Sequence, residues 1–174
     1  MLKKGLFISL IILIVSIIDI NNSKSIINIQ NKFGIKPQKN YVGQLIINKV
    51  GINNYIYDVN DKNNNVNSNV QLLKKSTFPV DNTNSSIFLA AHSGNSNISY
   101  FDNLDKLDKD DEIVFLYSNY KLTYKVKNIF TQIKDGTIEI NQVFSNQLVL
   151  TTCDPNSNNL QLIIICDLDK KEKV

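Results

Sequence analysis

The chain contains two cysteines in different sequence contexts, and the context of Cys153 is the one typical of a nucleophile. Cys153 ends the short apolar run Leu148–Thr152 and is followed by Asp154-Pro155, which breaks a strand. Cys166 closes the apolar run Leu162–Cys166, so we interpret it as core filling. A cysteine after an apolar strand is more often a small buried hydrophobe than a nucleophile. The strand-end position and the polar loop that follows favour the nucleophile for Cys153.

The only histidine supplies a candidate base for that thiol. His92 follows Ser85–Ala91, which has the composition of a buried strand, and precedes Ser93-Gly94, which has the composition of a turn. A lone histidine is usually structural, but a thiol and an imidazole at the ends of two strands can form a nucleophile and base pair. The spacing of cysteine and histidine matches no metal site.

The residues around both groups resemble those of a known family. Leu150-Thr-Thr-Cys153 resembles the Thr-Leu-x-Thr-Cys signature of the sortases, and Ala90-Ala-His-Ser-Gly94 resembles their catalytic-histidine segment. The resemblance extends over Tyr41 to Leu168. Sortases are membrane-anchored cysteine transpeptidases of mainly Gram-positive bacteria, which attach proteins to the cell wall or build pili.

The resemblance implies a mechanism and a set of partners. Cys153 would attack a sorting-signal peptide of a secreted surface protein, His92 would protonate the leaving amine, and a thioacyl enzyme would form. An amine of a cell-wall precursor or a pilin would then release the product. Within the same motif, Thr152 and Leu150 are the expected substrate-binding residues. No metal and no organic cofactor is expected.

One residue departs from the family pattern. Sortases carry an arginine on the strand after the cysteine loop, and Gln161 stands at that position here, in Gln161-Leu-Ile-Ile164. A glutamine can donate to a developing oxyanion but brings no charge. Gln161 could do this work weakly, a lysine such as Lys125 or Lys127 could substitute in space, or the protein could be a poor catalyst. Gln161 could equally be a solvent-facing strand residue.

Two other functions therefore remain open beside the transpeptidase. The missing arginine fits a sortase-like surface module that binds peptides or partners with weak catalysis or none. A hydrolase that uses water as its acceptor is a third option, which only an assay with an acceptor amine separates from a transpeptidase.

The elements that must position these groups are strands. The pattern predicts about eight short strands, among them Glu112–Tyr117, and no alternation of strands with helices. It also predicts two minor helices, one from the helical spacing of Phe101, Leu104 and Leu107 and one of a turn or two within Val70–Ser76. This indicates an all-β protein, a barrel or a sandwich. The resemblance implies the eight-stranded β-barrel of the sortases, with one or two short helices, over residues 41–168. Residues 169–174 are predicted to be a tail.

The N-terminus has the pattern of a membrane anchor. Two lysines precede an apolar run from Gly5 to Ile18, which orients the N-terminus toward the cytoplasm. Residues 1–20 are therefore predicted to be an uncleaved signal anchor, and residues 21–40 a stalk. The run is shorter than the roughly 20 residues that span a bilayer, so a cleaved signal peptide is an alternative. The prediction is a single-pass membrane protein with its catalytic domain outside the cell.

Composition excludes other classes of function. The formal net charge is +3 over 174 residues, and no basic run with interleaved aromatics is present, so nucleic acid is not expected as a partner. The acidic residues between Asp102 and Glu112 lack the spacing of a calcium loop, so we interpret them as a solvated face.

Overall fold

The fold is an eight-stranded antiparallel and parallel sheet that curls into a nearly closed barrel. The computed structural model describes residues 41–79, 84–94, 96–140 and 144–174. The strands, in chain order, are β1 Tyr41–Ile47, β2 Ile52–Tyr57, β3 Gln71–Leu72, β4 Ser85–Ala90, β5 Glu112–Tyr117, β6 Tyr120–Ile133, β7 Asn146–Asp154 and β8 Ser157–Lys173. The prediction of an all-β, eight-stranded barrel is thus confirmed.

The strand order explains how distant segments meet. It runs β2-β1-β5-β6-β8-β7-β4-β3, and β2 and β3 at its two ends also contact each other. Every neighbouring pair is antiparallel except β4 and β7, which are parallel. Because parallel strands have their carboxyl ends on the same edge, the residues that follow β4 and those that end β7 lie side by side.

Alternation along the strands builds two apolar layers. Residues of one parity fill the barrel interior, for example Ile87 and Leu89 of β4, both with 0% exposure. Residues of the other parity form a smaller cluster on the outer face of β4, β7 and β8, centred on Val149, Ile163 and Ile165. Side chains of the β6–β7 connection, including Ile138 and Ile140, pack on this outer cluster. The connection therefore covers part of the sheet.

Several predicted elements differ from the structure. Helical spacing at Phe101, Leu104 and Leu107 predicted a helix, but only Leu104–Lys106 forms a helical element, a 3₁₀ turn. The side chains of Phe101, Leu104 and Leu107 are all buried. A second 3₁₀ turn, Asn48–Val50, follows β1. A helical turn predicted within Val70–Ser76 is replaced by β3, whose Leu72 pairs with Leu89.

The last strands are also longer than predicted. The predicted tail of residues 169–174 is wrong, because β8 continues to Lys173 and pairs with β6 up to Tyr120. The Asn156–Asn159 loop is reduced to a tight turn, because Asp154 pairs with Ser157. Pairing to a long partner strand keeps these polar residues extended although their composition favours loops.

The N-terminal predictions fall outside the part of the chain that the structure describes. The predicted signal anchor of residues 1–20 and the stalk of residues 21–40 both lie there. Among residues 41–79, 84–94, 96–140 and 144–174, no helix has the length and apolar character needed to cross a bilayer.

Candidate active site

A small pocket at the carboxyl ends of β4 and β7 brings the predicted site residues together. Its volume is about 160 Å³. His92, Thr152, Cys153 and Gln161 all line it, as does Lys134 from the start of the β6–β7 connection. The remaining lining residues are Val66, Ala90, Ala91 and Thr151. The two candidate catalytic residues, which are far apart in sequence, therefore share one cavity.

Hydrogen bonds between the parallel strands fix the position of His92 beside Cys153. Beyond the pairing of Ala90 with Thr151, the Ala91 N–H donates to Thr151 O at 3.3 Å. The buried Thr152 hydroxyl donates to Ala91 O at 2.8 Å, and the Ser93 hydroxyl donates to Cys153 O at 2.8 Å. The residues on both sides of His92, Ala91 and Ser93, are thus hydrogen-bonded to the cysteine strand.

Alternation along β7 places Cys153 and Leu150 on opposite faces of the strand. Cys153 has the same parity as Val149, which lies on the outer face, and it is half-buried. Leu150 has the opposite parity and is a core residue with 0% exposure. It offers no surface to a substrate, so the predicted substrate contact of Leu150 does not fit its position. Thr152 is also buried, but it lines the pocket.

We expect Leu150→Ala to act on stability. Truncating a leucine in a packed core costs about 2–5 kcal/mol of unfolding free energy. Urea unfolding followed by circular dichroism measures this loss. Ile133→Ala is the matched control, because Ile133 is 70% exposed and should shift the midpoint little. A Leu150→Ala chain with unchanged stability and a raised KM for peptide would restore the predicted substrate contact.

The polar partner of the Cys153 sulfur is a lysine. Lys134 Nζ lies 3.1 Å from Cys153 Sγ and donates to it. Lys134 follows the last residue of β6, and its backbone N–H donates to Asn159 O on β8 at 2.9 Å. The ammonium group of Lys134 is thus a hydrogen-bond donor to the atom that is the candidate nucleophile.

The imidazole of His92 is held by an asparagine. His92 Nε2 and Asn67 Oδ1 lie 3.0 Å apart, and the ring N–H donates to the amide oxygen when Nε2 carries the proton. Because this bond turns Nε2 toward Asn67, the ring would use Nδ1, or rotate, to exchange a proton with a substrate. Catalytic hydrogen bonds often tighten only once the substrate is bound.

Gln161 lies directly beside Cys153, yet its amide serves the β6–β7 connection. The two residues are register partners across β7 and β8. The Gln161 side-chain amide donates to Thr137 O, with a longer contact to Ile133 O at 3.5 Å. Gln161 is therefore a pocket residue that holds the connection, and its prediction as a solvent-facing strand residue does not fit this position.

Neither lysine suggested as a substitute for the arginine reaches the pocket. Lys125 pairs with Asp169 at 3.7 Å and Lys127 with Asp110 at 3.5 Å. In the β6–β8 register these residues lie near Cys166, roughly 16 Å along the strand from Gln161 at about 3.3 Å per residue. The suggestion of Lys125 or Lys127 is wrong, and the lysine in the pocket is Lys134.

A compact hydrogen-bonded turn follows Lys134. The Asp135 carboxylate accepts from the Thr137 hydroxyl at 2.6 Å and from the Thr137 N–H at 2.9 Å. These bonds, the hydroxyl first, hold the pKa of Asp135 below its ordinary value. Gln132 adds a bond from its amide to Thr137 O at 2.8 Å. Two glutamines and one aspartate thus order the segment that carries Lys134.

The second cysteine is structural, as predicted. Cys166 has 0% exposure, and burial raises the pKa of its thiol. Both cysteines are free.

The acidic segment between Asp102 and Glu112 forms ion pairs with a lysine of the barrel. Lys49 Nζ lies 2.7 Å from a carboxylate oxygen of Asp108 and 2.7 Å from one of Asp111. Lys49 also contributes to holding the pKa of Asp111 below its ordinary value, after the Asp108 N–H.

The sequence did not identify Lys134 or Asn67 as site residues, and the reason differs between the two. Lys134 sits among many lysines, and only the register of β6 against β8 shows that it reaches Cys153. Asn67 lies in an asparagine-rich loop whose composition marks a turn and nothing more. A signal for Lys134 did exist, because the outer-face parity of Gln132 continues to it.

Comparison with known proteins agrees with this architecture. The family model for the sortase domain matches residues 45–169. A lid mutant of sortase A from Corynebacterium diphtheriae has a similar structure, with a TM-score of 0.65 and 23% identity over 78% of this chain and 73% of that chain. Sortase C-1 from Actinomyces oris gives 0.66 and 23%, over 76% and 74%.

In a third solved structure, the match extends over a larger share of the solved chain. Sortase A from Listeria monocytogenes gives a TM-score of 0.62 and 19% identity, over 78% of this chain and 91% of that chain. These likenesses show a shared fold. No curated protein gives a match. Because the family model spans most of the chain and the barrel agrees with it, the chain belongs to the sortase family.

Proposed function

We propose that this protein is a sortase-type cysteine transpeptidase. Cys153 attacks the scissile carbonyl of a sorting-signal peptide, and His92 protonates the leaving amine. The thioacyl enzyme is then resolved by an amine of a cell-wall precursor or a pilin. The observation that carries the proposal is the shared pocket of His92 and Cys153 at the ends of two parallel strands in a sortase-family domain.

A groove beside the pocket supports a peptide substrate. Phe88 and Ala90 share one face of β4, and Ala90 lines the catalytic pocket while Phe88 lines a neighbouring cavity of about 500 Å³. That cavity lies between the β3–β4 segment and the β6–β7 connection, which contributes Ile138 and Ile140. An extended peptide along β4 would fill the cavity with apolar side chains and reach Cys153 with its scissile bond.

The test is a mass measurement on the full chain. The protein is incubated with a library of sorting-signal peptides and an oligoglycine amine. Intact-mass spectrometry should then detect an acyl adduct on Cys153, and the adduct should be lost as the amine is added. Appearance of acid instead of amide product at saturating amine would favour the hydrolase.

The alternative is a catalytically weak sortase-like module that binds peptides or partners. What favours it is Gln161, whose amide is committed to backbone oxygens of the β6–β7 connection. Under this alternative the wild type binds peptides without an adduct, and Gln161→Arg restores an adduct on Cys153. Adduct formation by the wild type argues against it.

We also propose that residues 1–20 anchor the protein in the cell membrane, with the barrel outside. Family membership and the N-terminal apolar run support this arrangement. Protease added to intact cells should digest the barrel. Full protection of the barrel until the cells are lysed would contradict it.

A further inference from the structure

We propose that Lys134 is the cationic catalytic residue of this site. Its ammonium donates to the Cys153 sulfur before attack and to the oxyanion after it. This inference rests on the proposed function and adds to it a group outside the cysteine and histidine motifs. The carrying observation is the 3.1 Å contact from Lys134 Nζ to Cys153 Sγ inside the pocket that His92 also lines.

The charge of Lys134 is directed at the sulfur. Within the residues that the structure describes, Lys134 forms no ion pair with a carboxylate, whereas Lys49, Lys125 and Lys127 each have an acidic partner. The neighbouring Asp135 carboxylate is occupied by Thr137. Lys134 therefore brings an uncompensated positive charge to the place where negative charge develops.

The backbone around Lys134 is anchored on both sides. Its N–H donates to Asn159 O, and Thr137 O accepts from the amides of Gln132 and Gln161. Gln161 thus acts as a positioning residue, because it fixes the segment that carries Lys134. The cation is supplied from the end of β6, one strand away from Gln161 on β8. A preorganised donor is worth far more than a mobile one at an oxyanion.

The chemical steps balance without net change in Lys134. The sulfur anion bonds to the carbonyl carbon, and the π pair moves to oxygen, which accepts from the ammonium. The oxyanion collapses, the C–N bond breaks, and His92 gives its proton to the leaving amine. The acceptor amine then bonds to the carbon, His92 takes its proton, and the C–S bond breaks. Lys134 keeps its proton throughout and returns to the sulfur.

The first test is kinetic and uses the full chain. Lys134→Gln should lower kcat by about 100-fold, as expected for loss of one oxyanion donor. Lys134→Arg, which restores the charge, should recover kcat to within about tenfold of wild type. Lys127→Gln is the matched control, because Lys127 is paired with Asp110 far along β6, and its kcat should be unchanged.

The second test reports charge at the sulfur and does not need turnover. A negatively charged and a positively charged methanethiosulfonate of similar size are compared as modifiers of Cys153. The quantity measured is the modification rate of the negative reagent divided by that of the positive reagent. In Lys134→Gln this ratio should fall by about threefold, because one nearby charge at an exposed position is lost. The ratio should stay unchanged in Lys127→Gln and in Lys134→Arg. A merely structural role of Lys134 would slow both reagents alike.

The outcomes separate this inference from the proposed function. A wild-type acyl adduct together with an unaltered kcat and rate ratio in Lys134→Gln would overturn the role of Lys134 and leave the transpeptidase standing. A wild type that forms no adduct overturns the proposed function and the catalytic role of Lys134 with it. An adduct resistant to hydroxylamine would place the acyl group on the Lys134 amine, which would also overturn the role.

Discussion

Replacing Cys153 with Ala is expected to abolish the acyl adduct and to lower peptide turnover by a factor on the order of 10⁴–10⁶. Among the described residues that line the pocket, only Cys153 carries a thiol, a group that can bond to the carbonyl carbon and leave again as an anion. Cys153 is half-buried, and its backbone is held by Ser93 and by the pairing with Gln161. The substitution therefore removes the nucleophile and leaves the barrel intact. Intact-mass spectrometry and product chromatography measure both effects.

Cys166→Ala provides the matched control for the nucleophile. Cys166 lies in the barrel interior with 0% exposure, so its loss should reduce stability and leave the adduct in place. Circular dichroism at the assay temperature verifies that each variant is folded. Hydroxylamine should release the wild-type adduct, as expected of a thioester. Peptide turnover by a folded Cys153→Ala chain would contradict the assignment of Cys153.

The fold could be predicted largely because alternation is visible in the sequence. The β5 range Glu112–Tyr117 and the start of β4 at Ser85 follow directly from runs of apolar and β-branched residues. The extension of β8 to Lys173 could not be predicted this way. Its residues after Leu168 are charged, and they remain extended only because β6 is long enough to pair with them.

The sequence was sufficient to identify the candidate nucleophile and base, but not to show that they lie close together, which depends on strand register. Cys153 and His92 were marked by rarity and by the turns that follow them. Their proximity depends on the parallel pairing of β4 with β7, which no local pattern encodes. The same limit applies to Lys134 and Asn67, whose contacts with Cys153 and His92 join segments far apart in sequence.

The substrate contact predicted for Leu150 did not take into account that neighbouring residues on a strand face opposite sides. A motif is written as a continuous string, but on a strand its members alternate between two faces. Cys153 faces the outer layer, where Gln161 and Lys134 meet it, while Leu150 faces the barrel interior. Leu150 therefore packs in the core, whereas Cys153 lines the pocket together with Gln161 and Lys134.

His92→Ala is expected to slow acylation by an amide peptide by about 10²–10⁴-fold, the usual contribution of a general acid or base. The leaving amine must receive a proton as the C–N bond breaks, and His92 is the only titratable ring among the described residues that line the pocket. Rates of adduct formation, measured by quenched-flow mass spectrometry, give the effect. Asn67→Ala, which removes the partner of Nε2, should cause a smaller loss because the imidazole itself remains.

A thioester analogue of the same peptide separates proton donation from other roles of His92. A thiolate leaves without prior protonation, so acylation by the thioester should fall by less than about tenfold in His92→Ala, well below the general-acid contribution. The amide substrate should still show the full loss. Equal losses with both substrates would contradict proton donation to the leaving group. His92 would then act earlier, through the Cys153 sulfur or through the strand-end bonds of Ala91 and Ser93 that place the two segments together.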